Sequence, residues 1–334
     1  MTIFADFHHT DLYHSLRMLF SHRLGWKIYR PVGFNWYKKG FWKYTDKWPT
    51  IKQYLNITNE YFYTGDYWSI FEVHNNATEK CLTFEQFKKK KIDLIIASVA
   101  QHEEPYNRLI KKYKPKAKLI RQQGNIHDTI DFDIVKNVLA SCAPYNPPKD
   151  VSAVFYHQEF DLDVFKYQPS KLNNLISNFM NCLPASRDYY LWPVYKQELP
   201  DFDFRMYGIL GEDGILATTE EIAQKMSDST FIWHIKAGGD GFGHVIHNAF
   251  ACGRPLITKI SHYKDTLAEP LLEDGKTCID IENKGFMQVI KQIRFFSQPK
   301  EHQKMCENVH NRFKRFIDFD HEFTYIQKFL KHLK

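Results

Sequence analysis

Five glycines fall within residues 236–258, KAGGDGFGHVIHNAFACGRPLIT, and four of them, Gly238, Gly239, Gly241 and Gly243, surround one carboxylate, Asp240. A backbone without Cβ atoms admits positive φ and lets a ligand approach the chain, whereas glycine inside a regular element only costs stability. Gly238 to Gly243 therefore reads as a loop. Val245, Ile246, Ala249, Phe250 and Cys252 follow on one face of a short helix, Gly253 and Pro255 stop it, and Pro-Leu-Ile-Thr reads as a buried strand. A Gly-rich loop that delivers the chain to a helix N-terminus offers unpaired N–H groups and a partial positive charge, which is the chemistry of phosphate binding. A tight turn with no ligand has the same composition, and the segment alone leaves both readings open. His244 and His247 are three apart on this helix, but no second cluster completes a tetrahedral site, so no metal is expected. The spacing suggests a ligand-facing His244 and a capping or surface His247.

Such a loop needs a strand before it and a sheet around it. TFIWHI, residues 230–235, is the strand that feeds it, preceded by the helical pattern TEEIAQKMSDS and the strand DFDFRMYGI, in a unit that begins after PSKLNNLISNF. The N-terminal half alternates in the same way. TIFADF and WKIYRPVG flank an amphipathic helix over HHTDLYHSLRMLFSHRLG, and the strand KIDLIIASV, the helix EEPYNRLIKKYKP and the strands AKLIRQQGN and NVLASCAPY follow. This alternation predicts the α/β class: two Rossmann-like domains facing a cleft, each a parallel sheet with helices on both faces. The expected boundaries are 1–158 for the N-terminal domain, with an insertion over about 33–76, and 159–334 for the C-terminal domain, whose last helix packs back on the N-terminal one. Ligands in such sheets collect at the carboxyl ends of the strands.

The bulk properties exclude several classes. A chain of 334 residues with 43% hydrophobic and 25% charged side chains suits a soluble globular protein of about two domains. No apolar run approaches the roughly 20 residues of a membrane span, and MTIFADFHHTDLYHSL lacks the features of a signal peptide, so a cytoplasmic location is expected. The six cysteines are scattered without a CxxC pair, which argues against a disulfide framework or zinc site. The net charge is +6, with eight Lys or Arg against three acids over residues 1–48 and a run of four lysines at Lys88–Lys91. Either an anionic partner or a solvated face accounts for that distribution.

Residues 229–258, STFIWHIKAGGDGFGHVIHNAFACGRPLIT, resemble the donor-site segment of GT-B glycosyltransferases. In that family a strand leads to a short loop with an acidic residue before Gly-Phe-Gly, then to a helix with a second acidic residue before Ala-Met-Ala-Cys-Gly-x-Pro. VFYHQEFDLDVFKYQPS, residues 154–170, is similar to the family's interdomain connection. Over residues 1–150 the resemblance is one of fold pattern. It implies a nucleotide-sugar donor, a UDP-sugar, and no further cofactor. It also implies that Asp240 contacts the donor sugar and that Gly241, Phe242 and Gly243 bring backbone amides to the diphosphate, with Gly238, Gly239 and His244 beside them. Lys236 and Arg187 become candidates to neutralise the leaving diphosphate. Asn248 stands where the second acidic residue holds the ribose, and an amide can hydrogen-bond a diol without a carboxylate's charge-assisted strength.

Transfer of a sugar also requires a held acceptor hydroxyl and a destination for its proton. Asp6, His8, His9 and Asp11 follow the first strand, and His102, Glu103 and Glu104 follow KIDLIIASV, so both groups lie where an acid or imidazole would face the donor. Each of these residues also has a plain reading as loop capping or surface polarity. An inverting reaction needs one of them as general base; a retaining one can use the leaving phosphate. For the acceptor, the segment over 33–76 interleaves tryptophans and tyrosines with lysines, which suits stacking on bases and contact with phosphates, or else packs a small subdomain. The leading expectation is a hydroxymethylated pyrimidine in double-stranded DNA, as modified by some bacteriophage GT-B enzymes in the host cytoplasm, with the base exposed from the duplex. A cytoplasmic transferase of envelope or capsule glycan is the alternative. A catalytically silent nucleotide-sugar-binding protein, suggested by Asn248, is the third.

Overall fold

The computed structural model describes residues 1–5, 10–31, 81–82, 84–98, 100–181, 183–236 and 242–334. The aromatic and basic segment over 33–76 lies outside the described residues. The chain divides into two compact units, one formed by Met1–Phe160 with Phe319–Lys334 and the other by Asp161–Asp318. Both are α/β units built on parallel sheets.

In the first unit seven parallel strands run in the order β3-β2-β1-β4-β5-β6-β7. They are β1 (Thr2–Ala5), β2 (Lys27–Pro31), β3 (Cys81–Leu82), β4 (Leu94–Ala97), β5 (Lys118–Gln123), β6 (Asn137–Ala140) and β7 (Ser152–Phe155). The period of two sorts their side chains onto two buried faces. Phe4, Ile95, Ala97 and Val138 pack with Phe87 of α2 (Phe84–Lys89) and with Tyr106 and Leu109 of α3 (Glu103–Tyr113). On the opposite face Ile3, Ala5, Leu94 and Ile96 pack with Leu12 and Leu16 of α1 (Thr10–Arg17) and with Ile326 and Phe329 near the C-terminus. Runs apolar at every position, such as Leu94–Ala97, are what a sheet covered on both faces requires.

The expected first helix is shorter than its pattern, giving way after Arg17 to a π-helical turn over Met18–Arg23. The C-terminal helix, Phe319–Lys331, belongs to the first unit and is tied there by charge. Glu322 accepts from the His157 amide at 2.7 Å and pairs with its ring at 2.5 Å. Arg23 bridges Glu159 and Asp320, each at 2.7 Å. Local contacts surround the lysine run, of which Lys89 and Lys91 are exposed. The carbonyls of Lys88 and Lys90 accept from the buried Lys114 ammonium at 2.7 Å, Lys90 lies 4.6 Å over the Tyr29 ring, and Lys91 pairs with Asp93 at 3.4 Å.

The second unit orders its parallel strands β12-β11-β10-β8-β9. These are β8 (Leu175–Asn178), β9 (Asp203–Met206), β10 (Phe231–Trp233), β11 (Leu256–Thr258) and β12 (Cys278–Asp280). β8 is a correction to the sequence reading, which starts this unit after residue 179: its four residues end in Ser-Asn and carry too short an apolar run to stand out, yet they form an interior strand. The unit's helices are α4 (Leu191–Glu198), α5 (Thr219–Asp228), α6 (His244–Ala251), α7 (Phe286–Phe296) and α8 (Pro299–Phe316), and α9 is the C-terminal helix of the first unit. The Thr218 hydroxyl caps α5 by accepting the Glu221 amide at 3.1 Å. Among the described residues no helix is long and apolar enough to cross a membrane.

α8 is anchored by His302, which is fully buried, its Nε2 donating to the Thr230 carbonyl at 2.7 Å and its Nδ1 accepting from the Ser170 hydroxyl at 2.6 Å. Burial, with Arg254 nearby, pulls its pKa down to about 4 against the raising effect of the Thr230 carbonyl. Because the folded value lies below the ordinary one, its stabilising contribution is complete above about pH 6.5 and is lost as pH falls through the folded value near 4, by about 3 kcal/mol. Urea titrations from pH 7 to 4 should show that loss in the wild type and a shallower one in His302→Gln; identical pH slopes would remove His302 from the account.

Candidate functional site

The order of strands in the second unit reverses between β8 and β10, and in parallel sheets the crevice at such a reversal, outside the carboxyl ends, is where ligands bind. Both strand ends are fixed there. Asn178, at the end of β8, donates to the Trp233 carbonyl and accepts the Met180 amide, each at 3.0 Å, so the two exits are locked together. From β10 the chain runs through the buried His234 and Ile235 to the exposed Lys236, directly before the Gly-rich loop. Gly238, Gly239, Asp240 and Gly241 lie outside the described residues.

The chain re-enters at Phe242, and here the geometry explains the residue types. Phe242 is buried and stacks on the His247 ring with centroids 3.9 Å apart and planes at 13°. His247 is not at the surface: it is fully buried, and its Nδ1 donates to the Gly243 carbonyl at 2.9 Å. Gly243, with φ +73° and ψ +57°, is the left-handed residue that turns the chain into α6, a conformation that costs a side-chain-bearing residue about 1–2 kcal/mol. The His244 ring meets Phe242 edge-on at 4.8 Å. Phe242 and His247 thus clamp the start of α6 from beneath, and the helix amides are presented at the root of the loop. One turn further on, Asn248 is half-buried and its Oδ1 accepts no hydrogen bond among the described residues.

A third wall comes from β11. The Thr258 hydroxyl donates to the His234 carbonyl at 2.6 Å, and Lys259 forms an ion pair with Asp188 at 2.7 Å. His262 lies 4.0 Å from the other Asp188 oxygen. Arg187, beside Asp188, is exposed. Sequence reasoning singled out Arg187 and Lys236 but missed Asn178, Asp188, Lys259 and His262; of these Asn178 ends β8 and Lys259 directly follows β11, while Asp188 lies ten residues beyond its strand.

In the first unit the order reverses between β1 and β4, so the two acidic and imidazole groups selected from the sequence both follow strands at the reversal. Asp6, His8 and His9 lie outside the described residues, and Asp11 falls within α1. Glu103 is in a buried ion pair: its Oε1 accepts from Arg121 Nε at 2.8 Å and its Oε2 from the Asp131 amide at 2.8 Å. Burial pushes its pKa up, opposed by the Asp131 amide and the Arg121 guanidinium. His102 is buried against Tyr106 with centroids 5.1 Å apart, and Glu104 is exposed in an i,i+4 pair with Arg108 at 2.9 Å. Among the described residues no group of three His, Cys, Asp or Glu side chains could hold a metal ion.

No family model matches the chain, and no curated protein sequence matches it. Solved structures do. Anabaena HepE in complex with UDP-glucose superposes with a TM-score of 0.64 at 13% identity over 99% of each chain. Sucrose-phosphate synthase from Thermosynechococcus elongatus gives 0.65 at 10% identity over 99% of this chain and 98% of its own. An alpha-glucosyltransferase in complex with UDP and a 13-mer DNA containing an HMU base gives 0.63 at 10% identity over 99% of each chain. At such identities the likeness carries the fold, which is that of the GT-B glycosyltransferases.

Proposed function

We propose that the protein is a glycosyltransferase that moves a sugar from a UDP-sugar to an acceptor hydroxyl. The observation that carries this reading is the Gly-rich segment at the carboxyl end of β10, at the strand-order reversal, leading through left-handed Gly243 into the N-terminus of α6. Such a terminus favours a diphosphate. Support comes also from neighbours of this fold solved with UDP or UDP-glucose. In the reaction the bond from the anomeric carbon to the diphosphate oxygen breaks and a bond to the acceptor oxygen forms. The acceptor proton passes to a base of the first unit or to the leaving phosphate. Lys236 and Arg187 would offset the charge that develops on the diphosphate, and Asn248 Oδ1, unpartnered among the described residues, would accept from a ribose hydroxyl. We assign Glu103 a positioning role, since both of its oxygens are engaged.

For the acceptor, the reading is a hydroxymethylated pyrimidine in DNA, supported by the glucosyltransferase of this fold solved with UDP and HMU-containing DNA and by the composition of residues 33–76. The test offers labelled UDP-glucose and two duplexes that differ only in hydroxymethyluracil for thymine. Label on the first duplex alone is the expected result. Hydrolysis of UDP-glucose with no label on DNA would move the acceptor to another class, an envelope or capsule glycan among them. Absence of both UDP-glucose binding and hydrolysis would overturn the transferase reading.

Asp240→Asn should lower turnover more than it lowers affinity for UDP, because its partner is the sugar. A hydrogen bond to a charged acceptor contributes about 1.5–3 kcal/mol, or roughly ten- to a hundredfold in rate when fully expressed in the transition state. Steady-state rates beside UDP titrations separate the two effects, and an equal loss in UDP binding would give Asp240 a different partner.

A further inference from the structure

Three loops leave the carboxyl edge of the second sheet, after β8, β10 and β11, and one side-chain cluster joins the first to the third. Asp188 comes from the first, and Lys259 and His262 from the third. Asp188 Oδ1 receives the Lys259 ammonium at 2.7 Å, with only 7% of the Asp188 side chain and 16% of the Lys259 side chain exposed. Asp188 Oδ2 is buried with no hydrogen bond among the described residues, and His262 Nε2 stands 4.0 Å from it. Thr258, the residue before Lys259, donates its hydroxyl to the carbonyl of His234, two residues ahead of Lys236 where the Gly-rich loop opens. A buried ion pair contributes little net stability against well-packed apolar residues, so stability alone does not account for one at this edge.

We propose that Asp188, Lys259 and His262 form a latch that positions the donor segment, tying the β8 and β11 exits together on either side of the β10 exit. Held in this way, Asp188 also fixes the backbone from which Arg187 projects. Burial, with Lys259 nearby, lowers the His262 pKa against the raising effect of Asp188 and Glu282, and the direct hydrogen bond to Asp188 comes from Lys259. These residues are positioning groups for donor binding, an inference that rests on the transferase reading.

The test compares the UDP-glucose dissociation constant, by calorimetry, with the thermal melt of the same sample. Asp188→Asn and Lys259→Met are each expected to weaken UDP-glucose binding by about tenfold or more while the melt shows the variant folded at the measuring temperature, since small displacements of a positioned group are costly. The double variant should be no worse than either single one, because the two residues act as a unit. Lys259→Arg, which keeps the charge, should retain most of the affinity. Lys171→Met serves as the control: it removes the 2.7 Å pair with Asp228 at the opposite edge of the sheet and should leave UDP-glucose affinity unchanged. Lowered melting temperatures with wild-type affinity in the folded variants would reduce the cluster to a structural ion pair and overturn the latch. A wild-type protein that binds no UDP-glucose would instead remove the transferase reading on which the latch depends.

Discussion

Replacing Glu103 with alanine is expected to destabilise the protein by about 3–5 kcal/mol, because it leaves the Arg121 guanidinium buried without its nearest counter-charge. Arg121 is fully buried, and what remains to it is Asp128 at 3.2 Å and carbonyls of Ala97 and Gln122. The cost is larger than for an exposed pair such as Glu104–Arg108, where water replaces the lost partner and the net worth is about 0–1 kcal/mol. Glu103→Gln should lie between wild type and alanine, since an amide oxygen can still accept from Arg121 or the Asp131 amide but carries no charge. Urea titration of the three proteins measures the series. A Glu103→Gln protein as stable as wild type that has lost turnover would return Glu103 to the catalytic group.

Gly243→Val is expected to remove most UDP-sugar affinity. At φ +73° the new Cβ strains the backbone by about 1–2 kcal/mol, equivalent to about five- to thirtyfold in a dissociation constant if relieved by shifting the loop, and β-branching adds to the strain. Relief must move the turn off its seat, because Phe242 on one side is stacked on His247 and the Gly243 carbonyl on the other accepts from the same ring. Gly25→Val is the matched comparison: Gly25 has φ +65°, nothing lies within 4 Å of its added Cβ, and it belongs to the first unit. Both variants should lose melting temperature, and only Gly243→Val should lose UDP-glucose affinity. Equal affinity in the two would make the Gly-rich segment an ordinary turn.

What the sequence determined by itself is whatever a few neighbouring residues can encode. The α/β class was legible because runs such as Leu94–Ala97 and Phe231–Trp233 alternate with helical patterns, and a parallel sheet buried on both faces demands such runs. The helix after the Gly-rich loop, and its stop at Gly253 with φ +72°, were legible because backbone preference is local. β8 was not, since four residues ending in Ser-Asn have no distinctive period and become a strand through pairing with β9 and β10 on either side.

The partners of charged groups were decided by tertiary structure alone. Glu103 and Arg121 are 18 residues apart, and Asp188 and Lys259 are 71 apart; nothing near either carboxylate names the cation that a distant segment brings to it. The same holds for His247, whose helical spacing suits a surface or capping residue until Phe242 folds back over its ring. Local sequence sets φ preferences and periodicity over a turn or two. The burial and charge that make a carboxylate structural or reactive come from chain segments far away, and only the packed fold supplies them.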